Sequence, residues 1–266
     1  MTPHSLLDHL DSGRLWTAAP SDATGYGVAA PYRDALAVRS LRVARGEVPR
    51  GFKVGFTNRN LWQRYNVAAP IWGTVFDTTL AFCDGDGSLS LRNTCQPRIE
   101  PEAVFGMKAA PVPGALLEDL FDTLAWVAPG FEVVQSHLRG WKFCAADTMA
   151  DNGLHARLLV GRQTPVRDLA DNAAQLDQRL AACTVSLCKG STVQEEGCGA
   201  NVLDSPLRAL HHFLVELRQC PGAPDVMPGD VITTGTWTDA WPVVAGERWK
   251  AIFGAPLSEI TVKFTG

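Results

Sequence analysis

Apolar residues recur at intervals of three and four over residues 5–16 and 32–45, which predicts two helices, the second with Pro31 near its first turn. Residues 46–50 break that pattern, and 51–56 read as a short strand carrying Lys53. A further short helix is expected over 58–65. Alternation over 71–91, punctuated by Gly73, Gly85 and Gly87, predicts strands and a hairpin. Leu116, Leu117, Leu120, Phe121, Leu124 and Val127 follow helical spacing, so a helix is expected over 115–127. It separates a strand bearing Glu100 and Glu102 from one bearing Glu132, and a connection of that length can return the chain to the same sheet. Residues 182–194 predict a hairpin turning near Lys189-Gly190-Ser191. Ser205-Pro206 opens a helix through Leu217 with Leu207, Leu210, Leu214 and Leu217 inward. The remainder alternates as strands: 231–234, then Trp249/Ala251/Phe253, then Ile260/Val262/Phe264. Helices cluster early and strands late. The fold class expected is α+β, one domain over 1–266 with a small helical portion (1–50) and a strand-rich core (51–266).

Bulk properties narrow the function classes. Of the 266 residues 46% are apolar and 20% charged, values of an ordinary globular protein. A net charge of −4 without a basic cluster argues against a nucleic-acid partner. The N-terminus lacks a signal-type apolar core and no run reaches membrane-spanning length, so no membrane partner is expected. Seven cysteines, an odd number with no C-x-x-C pair, suit reduced thiols in the cytoplasm.

The chemistry concentrates in Arg98-Ile-Glu-Pro-Glu102 and in Glu132, an acid set within the apolar run Phe131–Val134. Side chains two apart on a strand share a face, so Glu100 and Glu102 aim together. Converging carboxylates repel unless a cation neutralises them, and oxygen-only ligands favour a hard divalent metal, Mg²⁺ or Mn²⁺. The plainer alternative makes Glu100 and Glu102 the solvated face of a half-buried strand. Pro101 lacks a backbone donor and so predicts an edge or bulge. Lys53 in its apolar strand is either a snorkelling surface lysine or a desolvated cation for a 2-oxo acid. Arg98 is expected to pair with a nearby acid. Asp147, Asp151 and Asn152 sit in a polar loop and would stabilise turns. Thr233-Thr-Gly-Thr236 offers hydroxyls and backbone N–H groups able to hold a carboxylate, with Thr234 and Thr236 as the substrate candidates.

Six segments come in a fixed order: Gly51-Phe-Lys-Val-Gly-Phe-Thr57, Gln96-Pro-Arg-Ile-Glu-Pro-Glu102, Glu132-Val-Val134, Asp147-Thr-Met-Ala-Asp-Asn152, Gly197-Cys-Gly-Ala-Asn-Val-Leu-Asp-Ser-Pro-Leu207 and Gly229-Asp-Val-Ile-Thr-Thr-Gly-Thr236. The series resembles the 2-keto-4-pentenoate hydratases (2-hydroxypentadienoate hydratases) of the fumarylacetoacetate hydrolase superfamily, from about residue 50 onward and more weakly before. The resemblance implies a mixed, strand-rich fumarylacetoacetate-hydrolase-like fold, a metal held by Glu100, Glu102 and Glu132, Lys53 facing substrate, and a loop bordering the site that makes Asp147 a further substrate-binding candidate. It also implies hydration of a small 2-hydroxy-dienoate or 2-oxo-enoate of aromatic meta-cleavage catabolism. Two departures bear on proton transfer. An acid expected of the family falls on Thr78, with Asp77 adjacent, and an expected serine falls on Leu154, followed by His155. Asp77 or His155 is therefore the expected base toward water. A 2-oxo-acid decarboxylase or C–C hydrolase of the same superfamily needs the same stabilised enolate, and a non-catalytic binding or assembly protein would keep the fold alone. A homo-oligomer is expected.

Overall fold

The amphipathic N-terminal stretches form α1 (Pro3–Ser12) and α2 (Ala30–Ala44) in the computed structural model, which describes residues 1–24, 26 and 30–266 and every side chain among them but that of Arg64. Thr2 Oγ1 accepts from Ser5 N at 3.2 Å, and Gly13 ends α1 in a left-handed conformation at φ 63°. The helix therefore stops short of Trp16, which packs with Leu6, Leu7 and Val38 in a small cluster tying α1 to α2.

Strands β1 (Pro49–Gly55), β2 (Ile71–Phe76), β3 (Leu80–Phe82), β4 (Asp86–Ser90) and β5 (Arg98–Met107) follow, with α3 (Trp62–Tyr65) after a 3-10 turn at Arg59–Leu61. Then come α4 (Leu117–Thr123), β6 (Leu124–Val134), α5 (Ala145–Ala150), β7 (His155–Val160), β8 (Thr164–Pro165), α6 (Val166–Leu169) and α7 (Ala173–Ala182). The chain finishes with β9 (Thr184–Lys189), β10 (Thr192–Cys198), α8 (Pro206–Gln219), β11 (Val231–Thr233), β12 (Trp241–Pro242), β13 (Arg248–Phe253) and β14 (Ile260–Thr265).

Among the described residues nine strands form one sheet in the order β2-β1-β11-β5-β6-β7-β3, with β12 on β5 and β8 on β6; five form a second, β10-β9-β13-β14-β4. The fold is mixed α+β, as expected. One apolar cluster, running from Phe52 and Phe105 through Leu120, Leu210 and Phe213 to Trp249 and Phe264, joins both sheets to α4, α7 and α8. Each such fully buried side chain contributes about 1.5–3 kcal/mol. Ser205 Oγ accepts from Arg208 N to cap α8, and the β9–β10 hairpin turns through Gly190 at φ 58°.

Three expectations change. The helix expected over 115–127 ends at Thr123, because Val127 pairs with Phe105 and Trp126 with Gly106 in the β5–β6 ladder. Leu124 and Val127 fit either period, and the cross-strand partners decide. No hairpin joins β2, β3 and β4: β2 pairs with β1, β3 with β7, and β4 crosses to β14 in the other sheet. Pro101 lies on a central strand rather than an edge. On that side of β5, β12 pairs only with residues 98–99 and β11 only with 104–106, so Pro101 falls in a gap where no ladder donor is required. That gap also frees the neighbouring Glu102 to meet other partners.

Candidate active site

β5 and β6 pair so that Glu100 stands opposite Glu132 and Glu102 opposite Gly130. The register turns Glu100, Glu102 and Glu132 to one face, where an oxygen of each lies within 4.8 Å of the other two. Glu102 and Glu132 are fully buried, while Glu100 is half-buried and lines a cleft of about 380 Å³. Burial, then mutual repulsion, pushes Glu100 up to about 8 and Glu102 well above the ordinary carboxylate range; burial raises Glu132 to about 7. Lys53 offsets part of the rise in all three.

Lys53, on β1, is 3% exposed. Its Nζ lies 3.4 Å from Glu132 Oε2 and donates to Gly153 O at 2.8 Å. Burial acts to lower its pKa, but the pull of Glu132, Glu100 and Glu102 outweighs this and raises it. Lys53 is thus an ammonium held in place. The carbonyl it meets belongs to three consecutive left-handed residues, Asn152 (φ 53°), Gly153 (φ 64°) and Leu154 (φ 67°). For Asn152 and Leu154 that conformation costs about 1–2 kcal/mol each. The Asn152 side chain offsets it by accepting from Thr74 N at 2.8 Å and donating to Thr74 O at 3.0 Å.

Each buried carboxylate is held at one oxygen. Glu102 Oε2 accepts from Thr234 N at 3.0 Å and Gly235 N at 2.6 Å. Gly235 has φ 92°, and a Cβ there would stand 1.8 Å from Thr57 Oγ1, so only glycine fits. Glu132 Oε1 is 2.8 Å from His155 Nδ1. The other oxygens, Glu102 Oε1 and Glu132 Oε2, are buried without a hydrogen bond. Ionised together against one ammonium, the three carboxylates would carry two uncompensated negative charges, which a dication bound among them would neutralise. The donor set fits a hard divalent metal.

Above this floor the cleft wall is aromatic. Phe56 stacks on Tyr65 with ring centroids 4.9 Å apart, Tyr65 on Phe143 at 5.5 Å, and Trp141 lies 6.0 Å from Phe143. The Arg98 guanidinium carbon sits 4.2 Å from the centroid of the Trp141 ring. These residues come from the strand edge after β1, from α3 and from the loop after β6, so no local period in the sequence announces the wall.

No family model matches the chain. It is 30% identical over 262 residues to the 2-hydroxyhexa-2,4-dienoate hydratase of Comamonas testosteroni, covering 98% of this chain and 95% of that one. It is also 30% identical over 197 residues to a 2-keto-4-pentenoate hydratase of Burkholderia vietnamiensis, across 73% of this chain and 70% of the relative. The chain belongs to the 2-keto-4-pentenoate hydratase family. A solved 4-oxalocrotonate decarboxylase from Pseudomonas putida G7, complexed with magnesium and adipate, superposes with a TM-score of 0.83 at 26% identity, covering 98% of this chain and 97% of that one. Solved fumarylacetoacetate hydrolase family proteins share the fold at lower identity.

Within this family framework, several expected site residues lie elsewhere. Asp77 is exposed on the turn after β2, where its Oδ1 accepts from Val48 N and Thr78 N; it does not reach the cleft. His155 is buried behind the carboxylates, its Nδ1 on Glu132 and its Nε2 2.9 Å from Thr79 Oγ1. Burial and the nearby Lys53, Arg42 and Arg157 hold its pKa well below the ordinary histidine value, so it has no free nitrogen and no charge to offer water. Asp147 caps α5 through Cys144 N and binds Ser21 N and Oγ, tying down the N-terminal segment. Thr234 reaches the site through its backbone N–H alone, since its hydroxyl donates to Ala103 O inside the core. Thr236 does line the cleft, with its hydroxyl donating to Thr238 O. Arg98 has no acid partner among the described residues.

Proposed function

We propose that this protein is a divalent-metal-dependent hydro-lyase that adds water to a small 2-hydroxy-dienoate or its 2-oxo-enoate tautomer; its Comamonas testosteroni relative is named a 2-hydroxyhexa-2,4-dienoate hydratase. The observation carrying this reading is the trio of converging carboxylates, two of them fully buried with an oxygen left without a hydrogen bond, facing Lys53 at the floor of an aromatic cleft. Glu100, Glu102 and Glu132 would hold the metal, Mg²⁺ or Mn²⁺ by donor chemistry; similar solved proteins are complexed with magnesium, calcium or manganese. A hard dication there supplies Lewis acidity toward a 2-oxo acid's carbonyl oxygen. Lys53 Nζ binds that end of the substrate and is the ammonium available to give a proton to the dienol carbon. Phe56, Tyr65, Trp141 and Phe143 pack the unsaturated chain and limit access of bulk water, while Thr236 borders the substrate.

A 2-oxo-acid decarboxylase is the second reading, favoured by one observation. Neither Asp77 nor His155 faces the cleft, and loss of CO₂ needs no base to activate water. Incubation with Mg²⁺ and a panel of 2-hydroxydienoates, 2-oxoenedioates and acylpyruvates, read by mass spectrometry, separates the readings. Gain of one water supports the hydratase, loss of CO₂ the decarboxylase and paired acids a C–C hydrolase. Metal binding with no product from any compound returns the chain to a non-catalytic ligand-binding role. The proposal includes a homo-oligomer in the cytoplasm, where the seven unpaired thiols would stay reduced; light scattering reads the assembly.

A further inference from the structure

Adding water to a carbon–carbon double bond is speeded by a group that takes the water's proton, and neither Asp77 nor His155 is placed to do so. The cleft offers few alternatives. Among the described residues the titratable side chains lining it are Lys53, Tyr65, Arg98, Glu100 and Asp239. The two cations have no lone pair to offer, and a phenol donates before it accepts. Glu100 belongs to the converging trio on the floor. That leaves Asp239, whose carboxylate makes no hydrogen bond or ion pair among the described residues.

The side chain of Asp239 is exposed, but its backbone is held. Asp239 N donates to Glu195 Oε1 and Oε2 at 3.1 Å each, and Trp241 Nε1 donates to Glu195 Oε2 at 2.7 Å. The segment runs alongside β5. Gly235 N reaches Glu102, Trp237 N donates to Pro101 O at 3.1 Å, and Trp241 pairs with Ile99. Asp239 therefore stands at the Glu100 end of the floor. Burial lowers the pKa of Arg98 while Glu100, Tyr65 and Asp239 pull against it, so both acids flank one guanidinium. A 2-oxo-enoate with its acid end at Lys53 and the floor would carry its double bond out along this segment. We propose that Asp239 is the catalytic base that takes a proton from the water adding to carbon four. The water oxygen bonds to carbon four as its proton passes to the Asp239 carboxylate, and the electron pair of the double bond shifts to form the enolate of the 2-oxo group. The enolate then takes a proton at carbon three and Asp239 gives its own to solvent, so one water is added in all. This rests on the hydro-lyase reading of the cleft.

The test supplies 2-hydroxypenta-2,4-dienoate and its hexadienoate homologue to the Mg²⁺-loaded protein, with products read by mass spectrometry and the dienol by its ultraviolet absorbance. The native protein is expected to return a product one water heavier. Asp239→Asn should form that product about 10²-fold or more slowly, the scale of a positioned acid–base group. It should still consume the dienol and release a 2-oxo-enoate of unchanged mass, because Lys53 still supplies the ketonising proton. Asp239→Glu should recover part of the hydration, since it keeps the carboxylate. Hydration at the native rate by Asp239→Asn overturns the inference alone, as does an equal loss of dienol consumption and hydration. A native protein that hydrates neither compound overturns the hydro-lyase reading and this inference with it.

Discussion

His155 and His137 each set Nδ1 against a buried carboxylate, 2.8 Å from Glu132 Oε1 in one case and 2.7 Å from Asp151 Oδ1 in the other. Both imidazoles are fully enclosed. Their surroundings differ. His155 is packed near Lys53, Arg42 and Arg157, which join burial in holding it neutral. A neutral ring satisfies both contacts by donating Nδ1–H to Glu132 and accepting the Thr79 hydroxyl proton at Nε2. For His137 burial acts to lower the pKa, but Asp151 outweighs it and raises the value above the ordinary one. Trp16 stacks on that ring at 5.6 Å, and Trp16 N donates to His137 O at 2.7 Å, fastening the N-terminal helices to the loop after β6.

What remains on each carboxylate separates the two pairs. Asp151 has no oxygen to spare: Oδ1 and Oδ2 both face His137 Nδ1, and Oδ2 also accepts His137 N. Glu132 gives one oxygen to His155 and keeps Oε2 bare beside Lys53. The same pair of groups is a tether where both carboxylate oxygens are used and, in the function proposed above, part of the metal site where one oxygen is left over.

Substituting the carboxylates tests this most severely. Glu132→Gln should abolish measurable Mg²⁺ binding and lower kcat/KM by about 10³-fold, the scale of losing one preorganised electrostatic group. Asp151→Asn should change neither beyond its effect on stability. Calorimetric titration with Mg²⁺ and turnover on the confirmed substrate read both, and equal losses in the two variants would erase the distinction.

The histidines give the next largest effect. His155 does not line the cleft, so in the proposed function it acts only by positioning Glu132. His155→Ala should weaken Mg²⁺ affinity by about 10–100-fold, the usual consequence of removing a partner behind a metal ligand. His137→Ala should leave that affinity alone while lowering the melting temperature. Unchanged Mg²⁺ binding in His155→Ala would show that Glu132 needs no orientation from behind.

These pairs also show where a sequence can be read and where it cannot. Glu100 and Glu102 are legible because a strand's period of two is local, and Glu132 because an acid in an apolar run needs a reason. The cap at Ser205 and the turn at Gly190 are equally local, and both occur where the residues indicate. From its neighbour Leu154, His155 is expected at the cleft. The left-handed run through 152–154 instead delivers it to the far side of Glu132. Asp77 lies away from the cleft for a similar reason, since a turn residue's direction depends on the backbone it caps, here Val48 and Thr78. The aromatic wall and the open Arg98 arise from segments far apart in the chain, and only the folded strands bring them together.

The smallest effect concerns pH and belongs to the tether. His137 has a folded pKa above its unfolded value of about 6.5, so in the folded state it binds its proton more tightly. The stability this adds is fully present below about pH 6.5 and is lost as pH rises through the folded pKa. Asp151→Asn keeps a hydrogen-bond acceptor but removes the charge that holds the proton. It should therefore cost about 1.5–3 kcal/mol at pH 5.5, the scale of a hydrogen bond to a charged group. The deficit against the native protein should narrow as pH rises past the folded value. Urea unfolding of both proteins at a series of pH values measures it. A deficit that stays constant or grows with pH would mean that His137 is neutral in the fold like His155, and that the two pairs differ only in what surrounds the carboxylates.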